Sequence, residues 1–273
     1  MEGQRMLSYV RMRVAGVVAL ALGSLVVMGG TAWAKPTQCS GGQVIESTTI
    51  SGNLSVGPGA CTLKETTVTG AVAVQPGAEL FATGGNFNSF GALSATQETV
   101  VSVEGITVNH SVNLLESASV TLFGVQIKEN LVARKSTGNV LIASVGNVAP
   151  EQGKVIVRET VGGSVLVADV AARSLTIANN VVSELTEEES ALQENLLVSG
   201  NQAAHIDVGY RDYVNDSMSI LRNQASEYIK VNAEEASIGN LFAGGLRCFG
   251  NSPAPIGAVS PETEHKEGQC KNL

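Results

Sequence analysis

Asp207, Asp212 and Asp216, interleaved with Arg211 and Arg222 and flanked by Tyr210, Tyr213 and Tyr228, form the densest set of groups in this sequence that could do chemistry. A lyase acting on acidic sugars needs carboxylates or calcium to hold the uronate and an Arg or Lys to move a proton. A glycoside hydrolase needs two carboxyl groups about 5–10 Å apart across the scissile bond. Asp207, Arg211, Asp212 and Asp216 are the candidate catalytic residues for either reaction. The competing reading is a polar loop with partly packed tyrosines, because an array of charged side chains does not by itself make a site.

The stretch 184–235 carries eleven acids and three bases. Calcium is the cation that such an exposed oxygen-rich surface would attract. The Asp and Gly spacing of an EF-hand is missing, and Gly162-Gly-Ser-Val-Leu-Val-Ala-Asp lacks the recurring glycine-aspartate pattern of calcium-binding β-rolls. A solvated acidic face is therefore preferred, and no cofactor is assigned. No phosphate-binding glycine loop, nucleophile elbow or metalloprotease helix occurs. The threonines do not recur at a spacing that would build an ice-binding array.

The N-terminus places Arg5, Arg11 and Arg13 ahead of an apolar run from Val14 to Met28, then small residues at Ala32 and Ala34. Residues 1–34 read as a signal peptide cleaved before Lys35, the apolar run being short for a membrane span. The first cysteine, Cys39, is too far from that cut to carry a lipid. The expected product is secreted or periplasmic, with no membrane span after processing. Loss of the leader removes three arginines and one glutamate and moves the formal charge from −8 to −10. Nucleic acid, which needs clustered Lys and Arg, is excluded as a partner. Trp33, the single tryptophan, leaves with the leader, which weakens a sugar-stacking cleft.

The elements that must position these groups are short alternating apolar segments separated by Gly, Asn, Ser and Thr. Leu54, Val72, Leu93, Val112 and Leu131 recur at steps of 18, 21, 19 and 19, and Val157, Ile177, Val198, Ile220 and Leu241 at steps of 20 to 22. A period near 20 with several strands per period predicts an all-β, single-domain parallel β-helix of about ten coils. Parallel strands then stack about 4.8 Å apart over an aliphatic core. Uneven steps favour a right-handed helix over a strict hexapeptide prism. The rival is a β-sandwich of the same strands. Residues 184–195 interrupt the alternation and are expected to form a loop or short helix between coils. Asn147, Asn179, Asn180, Asn201, Asn223, Asn240 and Asn251 recur near turns, where asparagine tolerates left-handed backbone and stacks in hydrogen-bonded ladders.

Cys39, Cys61, Cys248 and Cys270 lie two at each end, 22 residues apart in both pairs. That is about one coil, so the pairing Cys39–Cys61 and Cys248–Cys270 joins neighbours, whereas the other two connectivities would link opposite ends of a rod. Metal binding would call for closer cysteine spacing, and His110, His205 and His265 are dispersed. The ends are expected to be pinned by disulfides, with 35–250 forming the solenoid and its N-terminal cap and 251–273 a tail folded back as the C-terminal cap.

The run Leu246-Arg-Cys-Phe-Gly-Asn-Ser-Pro-Ala-Pro, followed by Lys266-Glu-Gly-Gln-Cys, resembles the ending of a group of exported bacterial parallel β-helix proteins with a C-x-G-N-x-P-A-P … G-Q-C tail. The resemblance implies a secreted β-helix and carries no assigned activity. The middle coils depart from the group's glycine-asparagine consensus. The function expected is a non-enzymatic structural or surface-interaction protein facing an envelope glycan or another surface protein. The alternative is a polysaccharide-active lyase or hydrolase using residues 184–235.

Overall fold

A computed structural model describes residues 35–84, 88–147, 153–231, 242–259, 263 and 265–273. The chain is all-β: a parallel β-solenoid of about ten turns, in which each strand pairs with its equivalent one turn away. Strands such as Leu131–Arg134, Lys154–Arg158 and Ser174–Ala178 lie in register on a first face. A second face holds Ser119–Phe123, Val140–Asn147 and Ser164–Ala172, and a narrower third face begins with Thr49–Ile50. No helix among the described residues is long and apolar enough to cross a membrane.

Alternation in sequence becomes stacking in space. Leu54, Val72, Leu93, Val112 and Leu131 form one inward column, which continues through Val155, Leu175, Leu196 and Met218 to Leu246. Val157, Ile177, Val198 and Ile220 are the adjacent column of the same face, two residues further along each strand. Its next member is Cys248 and not Leu241, which lies outside the described residues. The step from Ile220 to Cys248 is 28 residues against 22 for the one before, so a fixed step of about 21 stops short of the true partner. Burying one such Leu or Val removes it from water at a gain of about 1.5–3 kcal/mol, and like-on-like stacking repeats that gain in every turn.

The first corner carries a second repeating device. Glu98, Glu116, Lys135, Glu159, Asn179, Gly200, Arg222 and Gly250 all have positive φ. This left-handed residue turns the chain so that the following side chain enters the interior. Those following residues are Thr99, Ser117, Ser136, Thr160, Asn180, Asn201, Asn223 and Asn251, all buried and all polar. Asn180, Asn201 and Asn223 each donate their side-chain amide to the Oδ1 of the next asparagine at 2.9–3.1 Å. The same Oδ1 atoms accept the backbone N–H one coil below. Gln269 closes the ladder, its Oε1 accepting the Asn251 N–H at 2.9 Å and its Nε2 donating to the Asn251 carbonyl at 2.9 Å. The turn asparagines are thus structural at four positions. Asn179 serves as the left-handed residue, and Asn240 lies outside the described residues.

One expectation is corrected. Residues 184–195 form no inserted loop or helix, since Glu184–Glu188 and Ala191–Leu192 are strands in register with the coils on either side. The reason is visible in the burial pattern, where Glu187 occupies an inward position that the coils from Leu63 to Val167 and the next two, Val208 and Val231, give to an aliphatic residue. Ile256–Gly257 and His265–Gly268 continue the coil in parallel on the strands beneath, and Gln269–Asn272 forms a 3₁₀ turn.

Both disulfides have the expected connectivity, Cys39–Cys61 and Cys248–Cys270, with Cα atoms 5.7 and 5.3 Å apart. All four cysteines are fully buried. Cys39 continues a first-face column below Val56, and Cys61 is the first buried member of a second-face column, between Gln43 and Leu80. The bridge therefore spans the interior of the terminal coil.

Two stability measurements follow from this architecture. Asn201→Ala removes a ladder rung and leaves buried groups without partners, so urea unfolding should show a loss of about 3 kcal/mol, against almost none for the outward Thr176→Ala. A loss below about 1 kcal/mol would show that the ladder is dispensable. Reduction of either disulfide reopens a 22-residue loop and should cost roughly 3 kcal/mol, measured with Cys→Ser pairs in the same assay.

Candidate functional site

Asp207, Arg211, Asp212 and Asp216 are ten residues apart at most in sequence and separate in space, because ten residues span half a coil. Asp207 faces outward from the strand Gln202–Tyr210 on the second face. Arg211 stands at the second corner with positive φ, its Nη1 3.1 Å from Glu189 Oε1 and its guanidinium 5.0 Å from the Tyr210 ring centre. Asp212 points into the core and is 1% exposed. Asp216 lies exposed on the far side of that turn, in the strand Tyr213–Leu221.

Asp207 has close neighbours one coil away. The register aligns Glu184, His205 and Tyr228 in one outward row and Thr186, Asp207 and Lys230 in the next. The His205 and Tyr228 rings stack at 5.2 Å with 21° between their planes. The Tyr228 hydroxyl donates to Asp207 Oδ2 at 3.4 Å, and His205 Nδ1 lies 3.3 Å from Glu227 Oε2. Burial raises the Asp207 pKa above the usual carboxylate range, against the opposing pull of Lys230 and the Tyr228 hydroxyl. The charge on Asp207 in turn raises that of Tyr228. The strand Gln224–Val231 carries an extra residue between Ala225 and Tyr228, a β-bulge that swings Glu227 toward His205. Together these residues make a flat patch with two stacked rings, acids on both sides and one lysine. Tyr228 is marked by the sequence as a neighbour of the acids, whereas His205 and Lys230 are not, because their partners lie one coil away and not along the chain. The signal was the coil spacing itself, which aligns Glu184 with His205 and His205 with Tyr228.

Asp216 belongs to a different feature, a cleft of about 220 Å³ where the third face turns into the first. Asp216, Ser217, Arg247, His265 and Glu267 line it, with Arg247 Nε 3.4 Å from Glu267 Oε2. Two glycines open it. A β-carbon on Gly244 would lie 2.5 Å from the Asp216 carbonyl oxygen, whereas one on Gly245 would meet nothing nearer than the His265 carbonyl at 3.9 Å. A larger cleft of about 470 Å³ at the first corner runs between Pro76 and Thr137 past Glu98, Glu116 and Lys135. Among the described residues no three His, Cys, Asp or Glu side chains are grouped to hold a metal ion.

The glycine geometry makes a paired prediction. Gly244→Ala should destabilise the chain by about 1–3 kcal/mol, because the methyl group is forced onto backbone. Gly245→Ala should leave the melting temperature unchanged while filling the cleft. Equal effects of the two in thermal unfolding would show that the cleft is not shaped as described.

Compared with protein-family models, with curated proteins and with solved structures, the chain matches none, so its function is read from its own geometry.

Proposed function

We propose that this is an exported, non-enzymatic rod that holds an envelope glycan or another surface protein against its second face. The observation that supports it most is the flat patch of Glu184, His205, Asp207, Tyr228 and Lys230 on rigid, hydrogen-bonded strands. Aromatic rings on a stiff backbone offer contact area at little entropic cost, and surrounding charged groups supply hydrogen bonds to hydroxyls. Export is in keeping with two buried disulfides, which persist in oxidising compartments. It agrees with the leader-like N-terminus and with the tail's resemblance to exported bacterial β-helix proteins.

A second reading, a polysaccharide-active lyase or hydrolase, is favoured by one observation. Asp216 and Glu267 line a single cleft together with Arg247 and His265, which supplies acids and bases in one place.

One screen separates the two. Purified, oxidised protein is presented to polyuronates and cell-wall glycans and scored for retention and for new reducing or unsaturated ends. Retention without cleavage, weakened tenfold or more by Tyr228→Ala and untouched by Gly245→Ala, is the expected result. Cleavage abolished by Asp216→Asn would replace the binding reading with the enzymatic one.

A further inference from the structure

The most unusual groups in this molecule are inside it. Glu187 is fully buried in the second-face column that elsewhere holds Leu63, Val103, Leu122, Ile142, Val167 and Val208. Asp212 follows the left-handed Arg211 at the second corner, in the inward position that Ile106, Val125, Val145 and Val170 fill after Gly105, Gly124, Ser144 and Asp169. Glu187 therefore stands in an aliphatic column and Asp212 in a corner column that is aliphatic from Ile106 to Val170 and polar at Thr66 and Ser190, and the binding face described above has no use for either acid.

Each carboxyl has one oxygen supplied with a backbone donor. The Gly209 N–H donates to Glu187 Oε2 at 3.2 Å, and the Ser190 N–H donates to Asp212 Oδ1 at 2.8 Å. The remaining oxygens, Glu187 Oε1 and Asp212 Oδ2, have no donor among the described residues. The two carboxyls lie within each other's electrostatic reach. Two carboxylates offer only acceptors, so a hydrogen bond between them requires a proton, and a single shared proton would satisfy both orphaned oxygens at once. Without it, two like charges would be buried in contact, which a protein interior does not tolerate.

We propose that Glu187 and Asp212 are a proton-binding site in the core, whose one proton locks the bulge at Gly209 and whose loss at alkaline pH loosens the coils carrying the patch. The bulge is the link. Between Glu187 and Glu188 the neighbouring strand has an extra residue, so Glu187 pairs with Val208 and Glu188 with Tyr210. Gly209, at φ +85°, is left out of the ladder, and its N–H is held by Glu187 instead. Asp207 and Tyr210 lie on either side of that held residue and the one before it.

The surroundings fix the direction. Burial, the largest influence on both groups, raises the pKa of each; Glu187 raises Asp212 further, whereas Asp212 partly offsets the rise of Glu187. In the Glu187 column the neighbours above and below are Val208 and Val167, and Ser190 lies beneath Asp212. The nearby charges are on the outside: Glu188, which raises both; Glu189 paired with Arg211; Asp169 at the corner one coil below; and His205, Asp207 and Lys230 on the face. Because both folded-state values are raised, the pair's contribution is fully present below the ordinary carboxyl pKa of about 4 and is lost as pH climbs through the raised values.

Amide hydrogen exchange on the full, oxidised chain tests this without any ligand. After correction for the intrinsic rate, amides of 206–214 should lose at least tenfold protection between pH 5 and pH 9, while first-face amides of 175–178 do not. Asp212→Asn keeps the acceptor for Ser190 and places a permanent N–H donor toward Glu187, so its profile over 206–214 should be flat. Glu187→Gln should behave in the same way and serves if the first variant fails to fold. A flat wild-type profile, or a variant retaining the wild-type slope, would overturn the proposal.

Discussion

A parallel strand stacked on its own successor at about 4.8 Å obliges every position to tolerate a copy of itself directly above and below. The rest of this molecule follows from that constraint. Aliphatic side chains satisfy it by dispersion and burial, and they fill the columns running from Leu54 to Leu246 and from Cys61 to Ile229. Asparagine satisfies it by hydrogen bonding, since an amide can donate upward and accept from below without end. Both solutions are periodic, which is why about ten turns can be built from one rule.

Charged groups obey the same constraint less comfortably, and they mark where the rod does something besides extend. On the surface it is met by alternating sign or by ring stacking, as in the rows containing Asp207 with Lys230 and His205 with Tyr228. In the interior a carboxyl cannot stack on a carboxyl unless a proton intervenes, and the Glu187–Asp212 pair is confined to the coils beneath that same patch. The bulge at Gly209 joins the two, because a backbone N–H freed from the ladder is the donor a buried acid needs.

Inward columns were legible in the sequence because burial selects one residue type at one spacing. Leu54 through Leu131 could be aligned by eye, and the 22-residue spacing of the cysteines made their pairing a matter of coil length. The alignment failed at Leu241, where a longer coil broke the step, and at residues 184–195, where Glu187 in a core position disguised a strand. The polar groups were harder for a geometric reason. Residues close in sequence, such as Asp207, Arg211, Asp212 and Asp216, point to different sides of the rod, while true neighbours are about 21 residues apart. The tail motif is now readable residue by residue: Gly250 makes the left-handed turn that precedes Asn251, Asn251 ends the amide ladder, Gln269 caps it, and Cys248 and Cys270 close the coil.

The placement of the disulfides has a mechanical meaning. Tension applied to the two ends of a solenoid unwinds it from the outermost turn, because each coil is held only by the one beneath. Here force entering near Lys35 meets a covalent shortcut from Cys39 to Cys61, and force entering near Leu273 meets another from Cys270 to Cys248. The terminal turns are thus shielded from load, which passes to coils that have a neighbour on both sides. A rod of this kind resists being peeled from either end.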